Sequence, residues 1–417
     1  MRTLLIVFLL GFSLIHAQEA PKTWEFDGDL QLRGELDGRD FYNITYPAYV
    51  TTMRTRIGVT RTFSDKVSFF AQIQDSRTFG QGASTTAYLA NVDMHQAYIK
   101  FSNVLSSALS IQAGRFKYSF ANERLFGNSD WGPFGRSYEG LLFGLDLPWK
   151  TDFIIANIDE VENYAAAATP TAYVYPARRD SSVNLFAFTV SGKLNENNTL
   201  NLTGYYESDR KVGTGTESQL ARYTLGAEHH LNMKPFSTAV EIVYQGGTMA
   251  SRDVAAYLLS VSGKYQMGAS TFNPGVDILS GTAPTELTKV NTFDAAFGTG
   301  HRFYGFMDYF TSIPAHTGNL GIQDIFVIYD YAPDNSPFLY SAALHLLSTA
   351  EETAAGESAL GQELDLTVRY TVLKGVNIFW GGSVFLPGDL MKTRFTKAGN
   401  TELNPAFWSY LMVRAAL

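Results

Sequence analysis

An alternation of apolar and polar side chains runs without a break from Trp24 to Asp37. Every second residue from Trp24 to Leu36 is apolar or glycine, and the residues between them are polar and mostly acidic. Successive side chains of a β-strand point to opposite sides, so this segment predicts a strand between an apolar and a strongly polar environment. A soluble sheet finds its apolar environment in a protein core, whereas a membrane barrel finds it in lipid.

The composition favours β structure. The 417 residues include 36 glycines, and 14% of them are aromatic. No internal segment approaches the run of about 20 apolar residues that a membrane helix needs. The chain has no cysteine, which excludes disulfides and thiolate metal sites. Since no linker or shift in composition divides the sequence, we predict one domain that is stabilised by closure of a sheet.

The N-terminal residues have the pattern of a secretory signal peptide. A basic Arg2 precedes an apolar run from Leu4 to Leu10, and a small residue follows at Ala17. We predict a signal peptide at residues 1–17 and a single barrel domain at residues 18–417, with a buried first helix as the alternative. The chain carries 40 acidic against 32 basic residues, so nucleic acid is not a predicted partner.

Short and long connections alternate between the amphipathic segments. We predict short ones at residues 63–66, 102–106, 147–150, 194–198, 232–235, 332–336 and 373–375. We predict long ones at residues 38–49, 78–92, 116–138, 160–181, 208–220, 246–253, about 279–319, 349–361 and 387–404. This parity is typical of transmembrane barrels, whose periplasmic turns are short and whose extracellular loops are long.

The segments between these connections predict an all-β fold, a transmembrane antiparallel up-and-down β-barrel of about 18 strands. Two segments, 151–159 and 269–278, alternate poorly, which leaves the count open by two. The last segment, from Ala406 to Leu417, again has two faces. It is expected to pair with the first strand, because an unpaired edge in lipid leaves backbone groups without partners. Outer-membrane barrels commonly end in an aromatic residue, and Leu417 departs from this habit.

Several segments resemble the alginate-export family of outer-membrane porins. They include Met53-Arg-Thr-Arg-Ile-Gly-Val59, residues 69–80 and 92–98, the block at 113–115, 123–127, 131 and 135–140, and Phe297-Gly-Thr-Gly-His-Arg302 with residues 303–309 and 318–321. The resemblance spans nearly the whole mature chain. It implies an eighteen-stranded barrel in the outer membrane of a Gram-negative-type bacterium. It does not imply alginate as the solute.

The charged residues on the polar faces and in the long loops are the candidate functional residues. The lumen candidates are Arg33, Arg54, Arg56, Arg77, Arg115, Arg124, Arg136, Arg222, Arg369, Arg414, Asp75, Glu139 and Asp365. The loop candidates are Trp131, His301, Arg302 and Asp308. A ladder of guanidinium groups would suit carboxylated solutes. The same arginines would equally suit a structural network with the lumen acids, and the sequence leaves both interpretations open.

Two functions of different classes follow. The first is a channel for small anionic or saccharide solutes, or for export of an acidic polysaccharide; the second is a plugged barrel with a structural or adhesive role. The predicted partners are outer-membrane lipid, an anionic solute or polysaccharide, and periplasmic export machinery, and the oligomeric state stays open. The chain has no nucleophile-elbow or zinc-protease motif, so we predict neither an enzyme nor a cofactor or metal.

Overall fold

The computed structural model describes residues 23–41, 46–82, 91–159, 183–209, 219–395 and 403–416. The predicted signal peptide and the predicted connection at 160–181 lie outside these residues, as do most of the predicted connections at 78–92 and 208–220. The strands are β1 Trp24–Gly38, β2 Ala48–Ser64, β3 Val67–Thr78, β4 Val92–Phe101, β5 Leu109–Phe116, β6 Tyr138–Leu145, β7 Lys150–Asp159, β8 Val183–Lys193, β9 Asn198–Asp209, β10 Leu220–Met233, β11 Phe236–Met249, β12 Arg252–Met267, β13 Ser270–Leu279, β14 Lys289–Val290, β15 Ile322–Tyr331, β16 Phe338–Ser348, β17 Ala359–Leu373, β18 Val376–Pro387 and β19 Ala406–Ala416.

Eighteen of these strands form a closed antiparallel barrel, as predicted. Each pairs with its neighbours along the chain, and β1 pairs with β19 from Asp29 opposite Ala416 to Gly38 opposite Phe407. The two-residue β14 stands outside the wall, because β13 pairs directly with β15. Short helices lie in the connections: a 3₁₀ turn at Gly300–Arg302, α1 at Ile313–Thr317 and α2 at Asp389–Phe395. In the part of the chain described here, none of the helices has the length and apolar character to cross a membrane.

The burial pattern of the barrel is the reverse of that of a soluble sheet. Phe26, Ile57 and Leu411 are 76%, 57% and 58% exposed on the outer face. On the inner face Arg54 and Glu363 are 1% and 0% exposed. An antiparallel wall with apolar side chains outside and charged ones inside is the arrangement that lipid and a polar lumen require.

Aromatic rings cluster on the outer face near the short turns. Phe236 stacks on Tyr265 with ring centroids 4.7 Å apart, and Phe338 lies 4.9 Å from Tyr370. On β1 and β2, Arg61 lies 4.6 Å from the ring of Trp24. Such rings sit at the boundary between hydrocarbon and water, so this row marks the periplasmic edge of the membrane zone.

The predicted long connection at 246–253 is wrong. The ladder of β11 and β12 continues to Met249 opposite Arg252, and only Ala250 and Ser251 join the strands. Both have positive φ, at 49° and 68°, as a tight hairpin turn requires. The glycine at 246 does not mark a loop, because the ring of Tyr223 covers it from the next strand.

The two segments that alternate poorly in the sequence are nevertheless strands, β7 and β13. In β7 the residues Ile154 and Ala156 face the lumen and are buried, while Phe153 and Ile155 face outward. Both faces of β7 are therefore apolar, because its inner face packs against protein and not against water.

Reversal of polarity on one face of one strand tests this arrangement. Leu344 and Ser341 lie on opposite faces of β16, and Leu344 is 40% exposed on the outer face. We expect Leu344→Arg to lower the free energy of unfolding in lipid bilayers by about 2–4 kcal/mol, and Ser341→Arg to lower it by less than about 1 kcal/mol. Denaturant titration in vesicles measures both. Equal losses would contradict the assignment of the faces.

Candidate solute pathway in the lumen

Two long connections fold into the barrel and occupy part of its lumen. We call residues 117–137, between β5 and β6, loop A, and residues 280–321, between β13 and β15, loop B. Phe126 of loop A stacks on Phe297 of loop B at 6.0 Å and contacts Tyr205 of the wall at 5.3 Å. All three rings are buried. The apolar side chains of these loops therefore form a core inside the barrel.

The two loops are bonded to each other. The Gly127 amide donates to the Phe297 carbonyl at 2.9 Å, and the Thr299 amide donates to the Glu123 carbonyl at 2.9 Å. The Arg136 guanidinium donates to the carbonyls of Gly127 and Gly298 at 3.1 and 3.0 Å, and also to that of Phe297. Arg136, a predicted lumen candidate, thus links loop A to loop B by hydrogen bonds.

Arg54 and Arg56 hold loop A against the wall. Arg54 donates to the carbonyls of Asp130 and Gly132 at 3.0 and 2.9 Å and to the Asp29 carboxylate at 3.0 Å. Arg56 donates to the Asp130 carboxylate at 2.8 Å. These arginines are 1% and 3% exposed. Their position favours the structural interpretation left open by the sequence over direct contact with a solute.

Glycine is required where loop A passes over Arg56. Gly135 has φ +72°, and a Cβ there would lie 2.4 Å from Arg56 Nη2. A side chain at this position would be strained and would also displace the guanidinium group.

The Asp130 carboxylate is the centre of this contact. It accepts from Arg56 and from Lys117 Nζ. Burial alone would raise the pKa of the Asp130 carboxyl, but Lys117 and Arg56 together lower it to about 2. The carboxylate therefore stays ionised over the whole physiological range.

Trp131 joins both loops to the closing strands. Its ring stacks on His301 of loop B at 3.9 Å and lies 5.2 Å from the ring of Tyr410 in β19. Arg33 lies over the same ring at 4.6 Å and donates to the Trp131 carbonyl at 2.9 Å. Asp308 accepts from His301 Nδ1 at 2.8 Å. The loop candidates Trp131, His301 and Asp308 are thus brought together.

Arg124 attaches loop A to the opposite wall. It donates to both oxygens of Asp277 at 2.9 and 3.0 Å, to Glu241 at 3.0 Å and to the Tyr304 hydroxyl at 2.6 Å. Burial alone would lower the pKa of the Arg124 guanidinium, but these acids raise it. Arg124 is therefore a permanent cation in the lumen.

The remaining predicted residues are spread along the lumen. Arg222 bonds Glu207 at 2.8 Å and Asp294 of loop B at 3.0 Å. Arg369 and Arg414 lie on inner faces near the short turns, and Arg414 lies 3.6 Å from Asp29. Asp365 is buried and accepts from the Ser383 hydroxyl at 2.5 Å. Arg302 pairs with Glu123 at 3.3 Å.

Four predicted lumen residues lie on the outer face, and their placement in the lumen is wrong. Asp75 and Arg77 share the face of the exposed Ile73, and they bond each other. Arg115 bonds Glu139 at 2.5 Å, in register on the face of the exposed Leu141. Both pairs stand near the loop ends of their strands, where the bilayer becomes polar, so they are compatible with an outward position.

A cavity of about 990 Å³ lies between loop A and the wall of β4–β9 and reaches the short turns. Its lining includes Lys100, Lys117 and Lys150 and the acids Asp146 and Asp152, with Ser110, Gln112, Ser191, Thr199 and Asn201 as further polar residues. Lys100 and Lys150 are exposed in this cavity. Our sequence interpretation missed both lysines because it followed the arginines, although Lys100 alternates in phase with the inward Tyr98 and Gln96.

Metal binding finds no support in the residues described: no group of three or more His, Asp or Glu side chains there could hold an ion.

The fold and its inward loops define the class of protein as a β-barrel channel of the outer membrane. OpdO of Pseudomonas aeruginosa is a similar solved structure, with a TM-score of 0.62 and 13% identity over 94% of this chain and 97% of that chain. OccAB4 of Acinetobacter baumannii has a TM-score of 0.62 and 11% identity over 95% and 99%. OpdK of Pseudomonas aeruginosa, solved with vanillate, has a TM-score of 0.58 and 14% identity over 94% and 98%.

At these identities the likeness shows the fold alone. The sequence profile of the alginate export family matches residues 25–323, which is more than half of the chain. The chain belongs to this family, as the motifs at 53–59 and 297–309 indicated. No curated protein matches it.

Removal of Arg54 should release loop A. Loss of one partner of a buried ion pair costs about 3–5 kcal/mol, and two loop carbonyls would lose their donor as well. We expect Arg54→Ala to raise the mean single-channel conductance and its noise in planar bilayers. Arg369→Ala is the control, since this lumen arginine does not bond loop A. If Arg54→Ala left conductance and noise unchanged, the anchoring role would be refuted.

Acid should open the same contact. The pKa of the Asp130 carboxyl is lower in the docked loop than its ordinary value of 3.8, so ionised Asp130 stabilises docking at pH values above 3.8. This contribution is lost as the pH falls through about 2. We expect conductance noise to rise between about pH 4 and pH 2. Asp130→Asn should be noisy already at neutral pH and should lack this step. An identical acid response in both proteins would contradict the role of Asp130.

Proposed function

We propose that this chain is a passive channel for small carboxylated solutes. The observation that carries the proposal is the cavity of about 990 Å³ beneath loop A, with the ammonium groups of Lys100 and Lys150 in its lining. A lysine is a strongly hydrated point charge on a flexible stem, so it attracts a carboxylate without holding it in a fixed geometry. Conduction requires sites of that kind, from which a solute can leave again.

The other polar residues of the cavity suit a hydroxylated or otherwise polar solute. Hydroxyl and amide groups at Ser110, Gln112 and Asn201 can donate to a solute or accept from it. Vanillate, the compound with which OpdK was solved, also carries a carboxylate. A small solute with one carboxylate and further polar groups therefore fits the lining best.

Export of an acidic polysaccharide would require a wider passage than the lumen has with loops A and B docked. Loops A and B are tied to each other and to the wall, and a polymer would need them to move. The lysines of the cavity could then contact successive carboxylates, and periplasmic export machinery would be the expected partner. The name of the family favours this reading, whereas the tied loops favour small solutes.

The same ties support a second candidate, a plugged barrel with a structural or adhesive role at the cell surface. This candidate predicts negligible conductance in planar bilayers, together with a partner that contacts the outer loops. For both candidates we propose that residues 1–17 are a signal peptide removed on export, and that residues 18–417 form one barrel domain without a catalytic step.

Ion selectivity tests the channel proposal. Removal of two lumen cations should weaken the local attraction of anions, so we expect Lys100→Ala/Lys150→Ala to reduce the anion-to-cation permeability ratio by up to about tenfold. The reversal potential in a salt gradient measures this ratio. Lys66→Ala, in the exposed turn between β2 and β3, is the matched control.

Three outcomes would count against the channel proposal. Absence of conductance would favour the plugged barrel, and an unchanged ratio in the double variant would remove the lysines from the pathway. An equal fall in Lys66→Ala would show an effect of overall charge.

A further inference from the structure

A row of polar side chains crosses four neighbouring strands on the outer face of the barrel. Arg115 of β5 is paired in register with Glu139 of β6. Glu139 is paired in turn with Asn157 of β7, and Asn157 with Asn184 of β8. We call these four residues the polar band. Ile155 shares the face of Asn157 in β7 and is 43% exposed, so the band faces outward.

The apolar surface beneath the polar band is short. β5 and β6 have 8 residues each and are the shortest of the wall strands that the structure describes. Counted from its periplasmic end, β5 presents apolar residues outward at positions 109, 111 and 113, and then Arg115. In contrast, β16 presents apolar or aromatic residues outward at positions 338, 340, 342, 344 and 346. The apolar zone therefore ends two outward positions earlier on β5 than on β16.

The polar band lies at a depth where other strands present leucine to lipid. Glu139 lies six positions along β6 from Leu145, the outward residue at the periplasmic end of that strand. Six positions along β16 from Phe338 is Leu344. With a rise of about 3.3 Å per residue and a tilt of about 40°, six positions correspond to about 15 Å of height in an apolar zone about 25 Å tall. A bilayer of even thickness would bring acyl chains to the band.

Local thinning of the bilayer would relieve this mismatch. A bilayer becomes thinner beside an apolar surface that is too short for it, and its headgroups then reach the polar residues. The side chains of Arg115 and Glu139 are 34% and 61% exposed, so a headgroup can contact both. The short apolar surface therefore favours headgroups over acyl chains against the band.

The chemistry of the polar band favours a headgroup rich in hydroxyl and amide groups. Arg115 donates to Glu139 at 2.5 Å, so the band has no net charge. The side-chain amides of Asn157 and Asn184 can each donate and accept hydrogen bonds. Sugar hydroxyls and amides do the same, whereas a phosphate or a carboxylate is bound best by a cation that has no other partner.

We propose that the polar band binds the acylated aminosugar headgroup of an outer-leaflet glycolipid and holds it below the level of the surrounding headgroups. The sugar lies along the band, and its acyl chains lie against the apolar rows beneath, which include Leu141 and Ile155. A second copy of this chain would need a wide complementary face, whereas the band is a single row of residues. The proposal does not depend on conduction through the lumen.

Stability in two lipid mixtures tests the site. The probe is lipid A, the acylated aminosugar part of lipopolysaccharide, and the vesicles are phosphatidylcholine with and without it. We expect lipid A to raise the denaturant midpoint of unfolding of the unaltered barrel, because a ligand of the folded state stabilises that state. In Arg115→Leu/Glu139→Leu/Asn157→Leu, which keeps the net charge, this shift should fall by at least about half.

Gln362→Leu is the matched control for the change from an amide to leucine. Gln362 is exposed on the outer face of β17, and its neighbours in register are Leu346 and Leu386. It has no polar row around it, so Gln362→Leu should keep the full shift that lipid A produces.

The depth of the band is measured separately and does not require the leucine variant to fold. The chain has no cysteine, so Asn157→Cys and Leu344→Cys can each carry one fluorescent label. In vesicles with lipid A, we expect a nitroxide on lipid headgroups to quench the label at position 157 more than the label at position 344. A nitroxide at the ends of acyl chains should have the reverse effect.

Three results would overturn the proposal. The first is that lipid A leaves every midpoint unchanged, or raises it equally in the unaltered barrel, the triple variant and Gln362→Leu. The second is equal depth of the labels at positions 157 and 344. The third is a lower oligomeric mass of the triple variant by light scattering, which would assign the band to contact with a second copy of the chain.

Discussion

Closure of the sheet between β1 and β19 is the constraint on which the rest of the structure depends. Hydrocarbon offers no partner to a free backbone amide, so every strand must pair on both sides. The register from Asp29 opposite Ala416 to Gly38 opposite Phe407 completes the ring. Once the ring is closed, alternate side chains must face a lumen. Arg54 and Glu363 can be buried there because loops return to supply their hydrogen-bond partners.

The arginines of the lumen fix the position of loop A by the groups that they bind. On one wall, Arg54 and Arg56 donate hydrogen bonds to the backbone and to the Asp130 carboxylate of loop A. On the other wall, Arg124 of the same loop donates hydrogen bonds to the carboxylates of Glu241 and Asp277. The charge of the arginines is therefore largely neutralised within the protein. The field that a solute meets in the cavity comes from charged residues outside these ion pairs. Lys100 and Lys150 are among them, and so are Asp146 and Asp152 of the same lining.

Most of the fold could be predicted from the sequence, because lipid enforces period two. The pattern failed at β7, where Ile154 and Ala156 face a protein core inside the barrel, and at Gly246, where a tyrosine from the next strand covers a glycine. The outward position of Arg77 could have been found from its phase with Ile73. The contacts of the site could not be predicted from the sequence. The contact between Arg54 and Asp130 depends on how loop A folds into the barrel, and no local sequence pattern encodes that path.

The bonds of Arg136 have a mechanical consequence. A guanidinium does not lose its proton in proteins, so its bonds to Gly127, Phe297 and Gly298 persist at any pH that leaves the barrel folded. Conditions that detach loop A from β2 leave it fastened to loop B. We expect the two connections then to move as one unit, because these bonds still join them.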